Sequence, residues 1–378
     1  MIKKILFLTG TRADFGKLKS LMHALDADEK FKVHVFITGM HVLPKYGNTG
    51  DEVDKCGFSN TFKFINQKSN DSMDTILANT IQGLSNYIHL LKPDMLVIHG
   101  DRAEALAGAI VAAFNNILVG HIEGGEVSGT IDESIRHSIS KLAHLHFVAN
   151  DEAKQRLRRM GEQDNNIFII GSPDIDLMTS PELPSLESVK ERYEIPFDRY
   201  SIFAYHPVTT SLHTLLDNIR EIRSALVDSK RHYIAIYPNN DPGSDIIIEE
   251  LESLRGNPFF RIFPSVRFEA FLVLLKHAEF MIGNSSAAIR EAPFYGIPSI
   301  NIGSRQNGRS SCDTIMHTTE SRDEVFAAIE KINCGKFAGS DHFGSGTSAK
   351  QFLTILKTPA VWSITTQKQF VDHVLSPS

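Results

Sequence analysis

Three acidic residues in the first half of the chain have the types and positions needed for proton transfer. Asp101 comes shortly after the apolar run 95–98, Glu123 shortly after the run 117–119, and Asp132 follows in the same polar loop. Ligands of open parallel α/β sheets bind at the carboxyl ends of the strands. Carboxylates at such positions can serve as general acids or bases. The pattern therefore indicates acid–base chemistry at one edge of a predicted sheet.

Asp132 is predicted to lie at the start of a helix. Thr130 and Glu133 form the T-x-x-E pattern of a capping box, and apolar residues at 135, 139 and 142 follow at helical spacing. We therefore expect a helix from about residue 131. The dipole of that helix favours an ionised carboxylate in its first turn, which suits a base.

Each acid also has a purely structural interpretation. Asp101 is placed where it would cap the alanine-rich helix predicted after HGDR. Glu123 is followed by Gly124 and Gly125, which let the backbone approach a ligand closely but are equally compatible with a solvated surface turn. The sequence alone leaves both alternatives open.

A second group of polar residues has the features of an anion site. In the segment 283–291, GNSSAAIRE, a glycine with Ser285 and Ser286 precedes a predicted helix. Backbone N–H groups and hydroxyls at a helix N-terminus suit a diphosphate. Glu291, further along, suits ribose hydroxyls as an acceptor. This segment is the strongest binding motif in the second half.

Arg12 and His206 follow other predicted strands. Arg12, in GTRADFGK, is suited to bidentate phosphate binding, with an ordinary surface arginine as the alternative. The same segment differs from a P-loop, because its glycine spacing is one residue too long and Leu18 stands where a serine or threonine is required. A nucleotide triphosphatase is therefore disfavoured. His206 has an ordinary structural histidine as its alternative.

The elements that must position these residues are strands alternating with helices. Short apolar runs separated by amphipathic segments indicate βαβ units and a parallel sheet, and the alternation resumes after the proline-bearing stretch 180–185. The runs lie at 5–8, 33–37, 95–98, 117–119, 146–149, 167–170, 201–205, 233–237, 280–282 and 299–302. We predict an α/β protein of two Rossmann-like doubly wound domains facing a cleft.

Three ranges follow from this pattern. Residues 1–175 form the predicted N-terminal domain with the carboxylates, and residues 176–360 the C-terminal domain. Residues 361–378 are predicted as a helix that packs back on the N-terminal domain. A length of 378 residues also favours two domains.

Composition excludes several classes of protein. With 42% hydrophobic residues, 22% charged residues and a net charge of −6, the chain gives no reason to expect nucleic-acid binding. Three separated cysteines indicate neither disulfides nor a zinc site and favour the cytoplasm. The first apolar run is too short for a signal peptide, and we expect no membrane span. We expect no metal and no cofactor.

Four motifs together resemble the UDP-N-acetylglucosamine 2-epimerases. They are GTRADFGKL, HGDRAEALAGA, GHIEGGEVSGTIDESIRHSISKLAH and GNSSAAIREAPFYGIPSINIGSRQNGR, in order over nearly the whole chain. HIEGGE and TIDE, in place of HVEAGLR and a Pro-Glu-Glu segment, are similar to the hydrolysing branch. The resemblance implies a fold like that of GT-B glycosyltransferases.

The resemblance also implies roles for individual residues. Asp101, Glu123 and Asp132 match the catalytic carboxylates of the family. UDP is expected mainly on the C-terminal domain, with Ser265 and Val266 near the uracil. The remaining implied contacts are Arg12, Arg102, His206, Asn239, Asp245, Ser285, Ser286, Glu291 and Arg305.

The reaction implied for the hydrolysing branch is elimination of UDP to 2-acetamidoglucal, followed by hydration to N-acetylmannosamine for sialic-acid biosynthesis. Asp101 and Glu123 are both candidates for proton transfer at C2, with Asp132 helping to activate water. A homodimer or homotetramer is expected. Four alternatives stay open: a non-hydrolysing epimerase giving UDP-N-acetylmannosamine, a hydrolysing enzyme for a UDP-2,4-diacetamido-trideoxyhexose, a GT-B glycosyltransferase, and a catalytically silent nucleotide-sugar sensor.

Overall fold

The chain is divided into two units. The computed structural model describes residues 2–47, 49–68, 71–309 and 312–372. The N-terminal unit comprises Met1–Glu126, Asp132–Thr179 and His342–Ser378, and the C-terminal unit comprises Val127–Ile131 and Ser180–Asp341. The division thus falls four residues after the predicted one, and the C-terminal unit ends at residue 341 rather than 360.

A parallel sheet forms the centre of the N-terminal unit. Over the described residues it has seven strands in the order β3-β2-β1-β4-β5-β6-β7. The strands are β1 Lys3–Thr9, β2 Phe31–Ile37, β3 Thr61–Lys63, β4 Met95–His99, β5 Leu118–Ile122, β6 Leu145–Val148 and β7 Ile167–Ile169. The helices are α1 Arg12–Asp26, α2 Gly50–Asp54, α3 Met73–Leu91, α4 Ala103–Phe114, α5 Ile131–Leu142, α6 Asp151–Arg159 and α7 Pro173–Met178.

The sequence explains why these strands are central. The last five residues of β1 and all five of β5 are buried, as expected for strands covered by helices on both faces. The strand order reverses between β1 and β4, and ligands of doubly wound sheets bind outside the carboxyl ends at such a point. Arg12 begins α1 shortly after β1, and the loops after β4 and β5 carry Asp101 and Glu123.

The C-terminal unit repeats this topology. Within the part of the chain that is described, its sheet has six parallel strands in the order β10-β9-β8-β11-β12-β13. The strands are β8 Ser201–Ala204, β9 Tyr233–Ile236, β10 Phe260–Phe263, β11 Met281–Gly283, β12 Ser299–Ile302 and β13 Ile315–Thr318. The helices are α8 Leu186–Arg192, α9 Leu215–Asp228, α10 Ser244–Glu252, α11 Phe268–Lys276, α12 Glu291–Phe294 and α13 Arg322–Lys331. The predicted α/β class with two parallel sheets is confirmed.

Three strands were missed by the sequence pattern. β3 has only three residues, two of them exposed, and β13 has only one fully buried residue. In β10, Arg261 interrupts the apolar run. β3, β10 and β13 lie at the edges of their sheets, where less burial is needed and the hydrophobic signal is correspondingly weak.

The end of the chain belongs to the N-terminal unit. Helix α14 (Ser348–Leu356) buries Phe352, whose ring lies 4.7 Å from that of Phe147 in β6. A 3-10 helix follows at Pro359–Ser363. The helix predicted over 361–378 is wrong for residues 364–372, which form no helix, and residues 373–378 lie outside the described residues. Backbone groups of this segment bond instead to other elements.

An ion cluster holds this C-terminal segment in place. The carboxylate of buried Glu162 forms ion pairs with Lys141 Nζ at 2.8 Å and Lys368 Nζ at 2.5 Å, and it lies 3.0 Å from His146 Nε2. His144 Nε2 donates to the carbonyl of Thr366 at 3.0 Å. Burial alone raises the pKa of Glu162, but His146 and the two lysines lower it to about 2. The tail is therefore anchored by an ionised carboxylate.

No helix among the described residues is long and apolar enough to cross a membrane.

Acid should weaken this cluster. Because the pKa of Glu162 is lower in the folded chain than its ordinary 4.5, its stabilisation of about 3 kcal/mol is complete above pH 4.5 and is lost as the pH falls toward 2. We expect Glu162→Gln to lower the melting temperature at pH 7 and to remove part of the acid sensitivity. The exposed Glu152→Gln is the matched control. Equal melting temperatures of Glu162→Gln and wild type at pH 7 would contradict the assignment.

Candidate active site

Glu123 is held in a constrained position at the end of β5. Its φ angle is +70°, which is unusual for a residue other than glycine and costs on the order of 1–3 kcal/mol. Its N–H donates to the carbonyl of Phe147 at 3.1 Å, and the residue is only 7% exposed. The glutamate is therefore not the solvated acid of a surface turn.

Two basic side chains lie against the Glu123 carboxylate. Lys17 Nζ, from α1, donates to Glu123 Oε2 at 3.3 Å, and His99 Nε2, from the end of β4, is 2.9 Å from the same oxygen. Lys17 Nζ is also 3.8 Å from Oδ2 of Asp174 in α7. All four side chains are at least nine-tenths buried. No motif in the sequence had indicated a role for Lys17, His99 or Asp174.

Asp101 pairs with a buried arginine on another helix. Its Oδ2 accepts a short hydrogen bond from Nη2 of Arg136, in α5. The N-cap of α4 is Arg102, whose side chain makes no capping hydrogen bond. The Asp101 carboxylate thus has a specific cation partner outside the helix that it was predicted to cap.

Arg136 brings the predicted carboxylates together. Its side chain is fully buried, and Nη1 donates to the carbonyl of Glu126 at 3.2 Å. Burial lowers the pKa of its guanidinium, but the negative charges of Asp101, Glu126, Glu123 and Asp132 outweigh burial and raise it. All three predicted catalytic carboxylates are thus within electrostatic reach of one cation.

Helix α5 begins at Ile131, as its capping-box pattern predicted. Asp132 is half-buried in its first turn, four residues before Arg136, and so lies on the same side of the helix. This spacing was readable from the sequence. Arg136 was missed because arginines on soluble helices are usually exposed.

His121, in β5, supports this site as a neutral residue. Burial lowers the pKa of its imidazole to about 3. Its Nε2 lies 2.8 Å from the carbonyl oxygen of Gly100, and its Nδ1 lies 3.2 Å from Oγ of Ser140. It ties the loop after β4, which carries Asp101, to β5 and α5.

Arg12 and Arg102, two predicted substrate contacts, have carboxylate partners within the N-terminal unit. Arg12 contacts both oxygens of Glu52, with Nε at 3.0 Å and Nη2 at 2.6 Å. Arg102 Nε is 3.4 Å from Oε2 of Glu104. Each arginine side chain is about one-fifth exposed. Their roles toward a ligand stay predictions.

In the C-terminal unit, Asn284 fixes His206. Asn284 Oδ1 accepts from the His206 N–H at 2.6 Å, and Asn284 Nδ2 donates to the His206 carbonyl at 2.8 Å. His206 Nδ1 accepts the N–H of Asn239 at 3.1 Å, which leaves Nε2 as the protonated nitrogen of a neutral ring. The Asn284 carbonyl accepts from Arg305 Nη1 at 3.2 Å. Asn284 stood in the quoted motif without an assigned role.

The predicted helix after Ser285 is much shorter than expected. Ser285 caps a 3-10 helix, Ser286–Ala288, and accepts the N–H of Ala287 at 3.4 Å. The four-residue helix α12 begins at Glu291, which is 2% exposed. A glycine is required just before, because a Cβ at Gly283 would lie 2.0 Å from the carbonyl oxygen of Ala204. A 3-10 turn followed by a four-residue helix stands where a helix was predicted.

The remaining predicted contacts follow neighbouring strands of the same sheet. They comprise Asn239 after β9, Asp245 in the first turn of α10, Ser265 and Val266 after β10, and Arg305 after β12. Val266 is buried, and the other four are half-buried. The carboxyl edge of this sheet therefore presents amide, hydroxyl, imidazole and guanidinium groups from adjacent loops, a set that suits an anionic, hydroxyl-bearing ligand.

Two doubly wound parallel sheets with polar groups at their carboxyl edges define an α/β protein of the GT-B-like class. The chain belongs to the UDP-N-acetylglucosamine 2-epimerase family, whose sequence model matches residues 23–357.

Two relatives match this chain over nearly its full length. The chain is 48% identical to UDP-N-acetylglucosamine 2-epimerase of Neisseria meningitidis, over 98% of this chain and 99% of the relative. It is 33% identical to UDP-N,N'-diacetylbacillosamine 2-epimerase (hydrolyzing) of Legionella pneumophila, over 95% and 96%. The crystal structure of Methanocaldococcus jannaschii UDP-GlcNAc 2-epimerase in complex with UDP-GlcNAc and UDP has the same fold, with a TM-score of 0.80 at 22% identity over 93% and 99% of the chains.

Removing the guanidinium should destabilise the N-terminal unit. We expect Arg136→Met to lower the free energy of unfolding by roughly 3 kcal/mol, because it leaves Asp101 without its buried counter-ion. Urea denaturation followed by circular dichroism measures this loss. The partly exposed Arg223, paired with Glu250 at 3.2 Å, gives the control Arg223→Met, for which we expect less than about 1 kcal/mol. Equal losses of unfolding free energy in the two variants would show that the Arg136–Asp101 pair contributes no more than an ordinary surface ion pair.

Proposed function

We propose that this protein is a hydrolysing UDP-N-acetylglucosamine 2-epimerase that converts UDP-N-acetylglucosamine and water into N-acetylmannosamine and UDP, for sialic-acid biosynthesis. The observation that carries the proposal is the grouping of Asp101, Glu123 and Asp132 around buried Arg136 in a member of this family. We further propose that it works in the cytoplasm, as a homodimer or homotetramer, without a metal or other cofactor.

The chemistry requires several carboxylates. No carbonyl acidifies the C2 proton of the sugar, so departure of UDP from C1 must first create positive character at the anomeric carbon. A placed carboxylate then removes the C2 proton, which contributes on the order of 10²–10⁴-fold. Hydration of the resulting 2-acetamidoglucal adds water at C1 and a proton at C2 from the opposite face. This second half needs both a base and an acid.

The C-terminal unit supplies the groups proposed to bind UDP. His206 has Nε2 as its donor, and the loops after β11 and β12 provide Ser285, Ser286 and Arg305 for the diphosphate. Donors placed around a diphosphate stabilise the charge that develops as it leaves. Glu291 is proposed for the ribose. Arg12, Arg102, Asn239, Asp245, Ser265 and Val266 complete the proposed substrate contacts.

The hydrolysing branch is favoured over the non-hydrolysing one by HIEGGE and TIDE in the sequence and by the name of the Legionella relative. That relative also supports a second candidate substrate, a UDP-2,4-diacetamido-trideoxyhexose. N-acetylglucosamine is preferred because the Neisseria relative, whose name refers to UDP-N-acetylglucosamine, is the more similar at 48% against 33% identity.

Proton NMR of the protein with UDP-N-acetylglucosamine in heavy water tests the proposal. We expect free UDP and N-acetylmannosamine carrying deuterium at C2, because the C2 proton is exchanged through the glycal. An intact UDP-N-acetylmannosamine product would indicate the non-hydrolysing reaction. Absence of deuterium at C2 would exclude epimerisation, and turnover of only the diacetamido substrate would identify the second candidate.

Two variants separate the proposed roles of the units. Glu123→Gln should lower kcat by about 10²-fold or more with little change in UDP affinity, because it removes a carboxylate used in proton transfer. Asn284→Ala should weaken UDP binding, because it releases His206 and the Arg305 contact. Steady-state kinetics and UDP titration calorimetry measure the two effects. The proposed assignment would be wrong if Glu123→Gln lost UDP affinity while keeping its turnover.

A further inference from the structure

His99 has a buried ring nitrogen that lies beside a carboxylate without an aligned hydrogen bond. His41, His121 and His144 each have polar partners at both ring nitrogens. His99 Nε2 is buried and has no aligned hydrogen bond among the described residues, although it lies only 2.9 Å from Glu123 Oε2. His34 Nε2 and His146 Nδ1 are also buried without a hydrogen bond among the described residues, so the feature that carries the argument is the carboxylate oxygen beside His99 Nε2.

The position suits proton exchange. The distance of 2.9 Å is within the 2.6–3.2 Å range of acid–base partners, and such contacts are often poorly aligned in the absence of substrate. Small rotation of the ring would align Nε2 with the carboxylate. Both side chains are less than one-tenth exposed, so bulk water does not compete for the proton.

The neighbouring groups cannot take this role equally well. Lys17 contacts the same carboxylate oxygen at the longer distance of 3.3 Å and is placed as its counter-charge. His121 is hydrogen-bonded through both ring nitrogens to Gly100 and Ser140. Imidazole is the side chain that gains and loses a proton most readily near neutral pH. Other charged groups around this region are Asp174 of α7, Arg136 of α5 and Asp101 after β4.

We propose that His99 is the proton-exchange partner of Glu123. The proposal rests on the proposed function and deepens it by naming where the proton goes. Glu123 accepts the C2 proton, the electron pair of the C2–H bond forms the C1–C2 double bond, and UDP departs with the electron pair of the C1–O bond. The O–H bond at Glu123 Oε2 then breaks as an N–H bond forms at His99 Nε2. The carboxylate is regenerated, the imidazole becomes imidazolium, and no oxidation or reduction occurs.

Glutamine at position 99 tests this step. Its amide nitrogen reaches the position of Nε2 and donates to the carboxylate, yet it cannot accept a proton. We expect His99→Gln to slow deuterium uptake at C2 at least about 10-fold, with KM within about twofold of wild type. A positioning role alone would be rescued by glutamine. If His99→Gln fails to fold by circular dichroism, the smaller His99→Asn replaces it, with the same expected loss.

His34→Gln is the matched control. His34 is a buried histidine in β2. Its pKa is lowered by burial and by the positive charges of Lys32 and Lys4, and no carboxylate contributes to the shift. His34→Gln should exchange at the wild-type rate. If His99→Gln takes up deuterium at C2 at the wild-type rate, the proposal is overturned, whichever product is formed. Wild-type protein that exchanges C2 but releases no free sugar overturns the hydrolysing function and leaves the His99 test intact, whereas absence of exchange in wild type overturns both.

Discussion

The ion pair between buried Arg136 and Asp101 is the interaction on which the N-terminal site depends. Carboxylates placed close together raise one another's pKa unless a cation compensates them. An arginine guanidinium supplies a permanent positive charge, and here it lies within electrostatic reach of Asp101, Glu123, Glu126 and Asp132. The arrangement places a buried positive charge among several carboxylates.

Helix α5 connects this interaction to the end of the chain. Its first turns carry Asp132 and Arg136, and its last turn carries Lys141, which joins Glu162 and Lys368 in the tail cluster. Lys368 Nζ also donates to the carbonyl of Ser140 at 3.0 Å. The helix is thus held by one ion pair near its middle, at the candidate site, and by a second near its C-terminal end, at the C-terminal segment. This explains why a segment so distant in sequence belongs to the N-terminal unit.

The sequence was sufficient to predict most of the parallel strands and the polar loops that follow them, because buried strands appear as continuous apolar runs. It also predicted the start of α5 from its capping-box pattern. It was not sufficient for Arg136, Lys17 or His99, whose importance comes from pairing with residues far away in the chain. The tail was predicted as a helix, but its backbone bonds to Gly161 and His144, and such tertiary contacts override local periodicity.

The C-terminal unit shows the same limit in another form. The motif GNSSAAIRE indicated an anion site, yet the residue that organises it is Asn284, which holds His206 through two backbone hydrogen bonds. The expected helix is only a 3-10 turn. Residue types thus indicated the kind of ligand, whereas the positions of the donors depend on contacts between loops after different strands.

A double-mutant cycle between Arg136→Met and Asp101→Asn, measured by urea unfolding, tests the central ion pair most directly. If the pair organises the site, the two changes are strongly non-additive, with a coupling energy of about 1–3 kcal/mol. Additive losses, with a coupling energy near zero, would contradict the account.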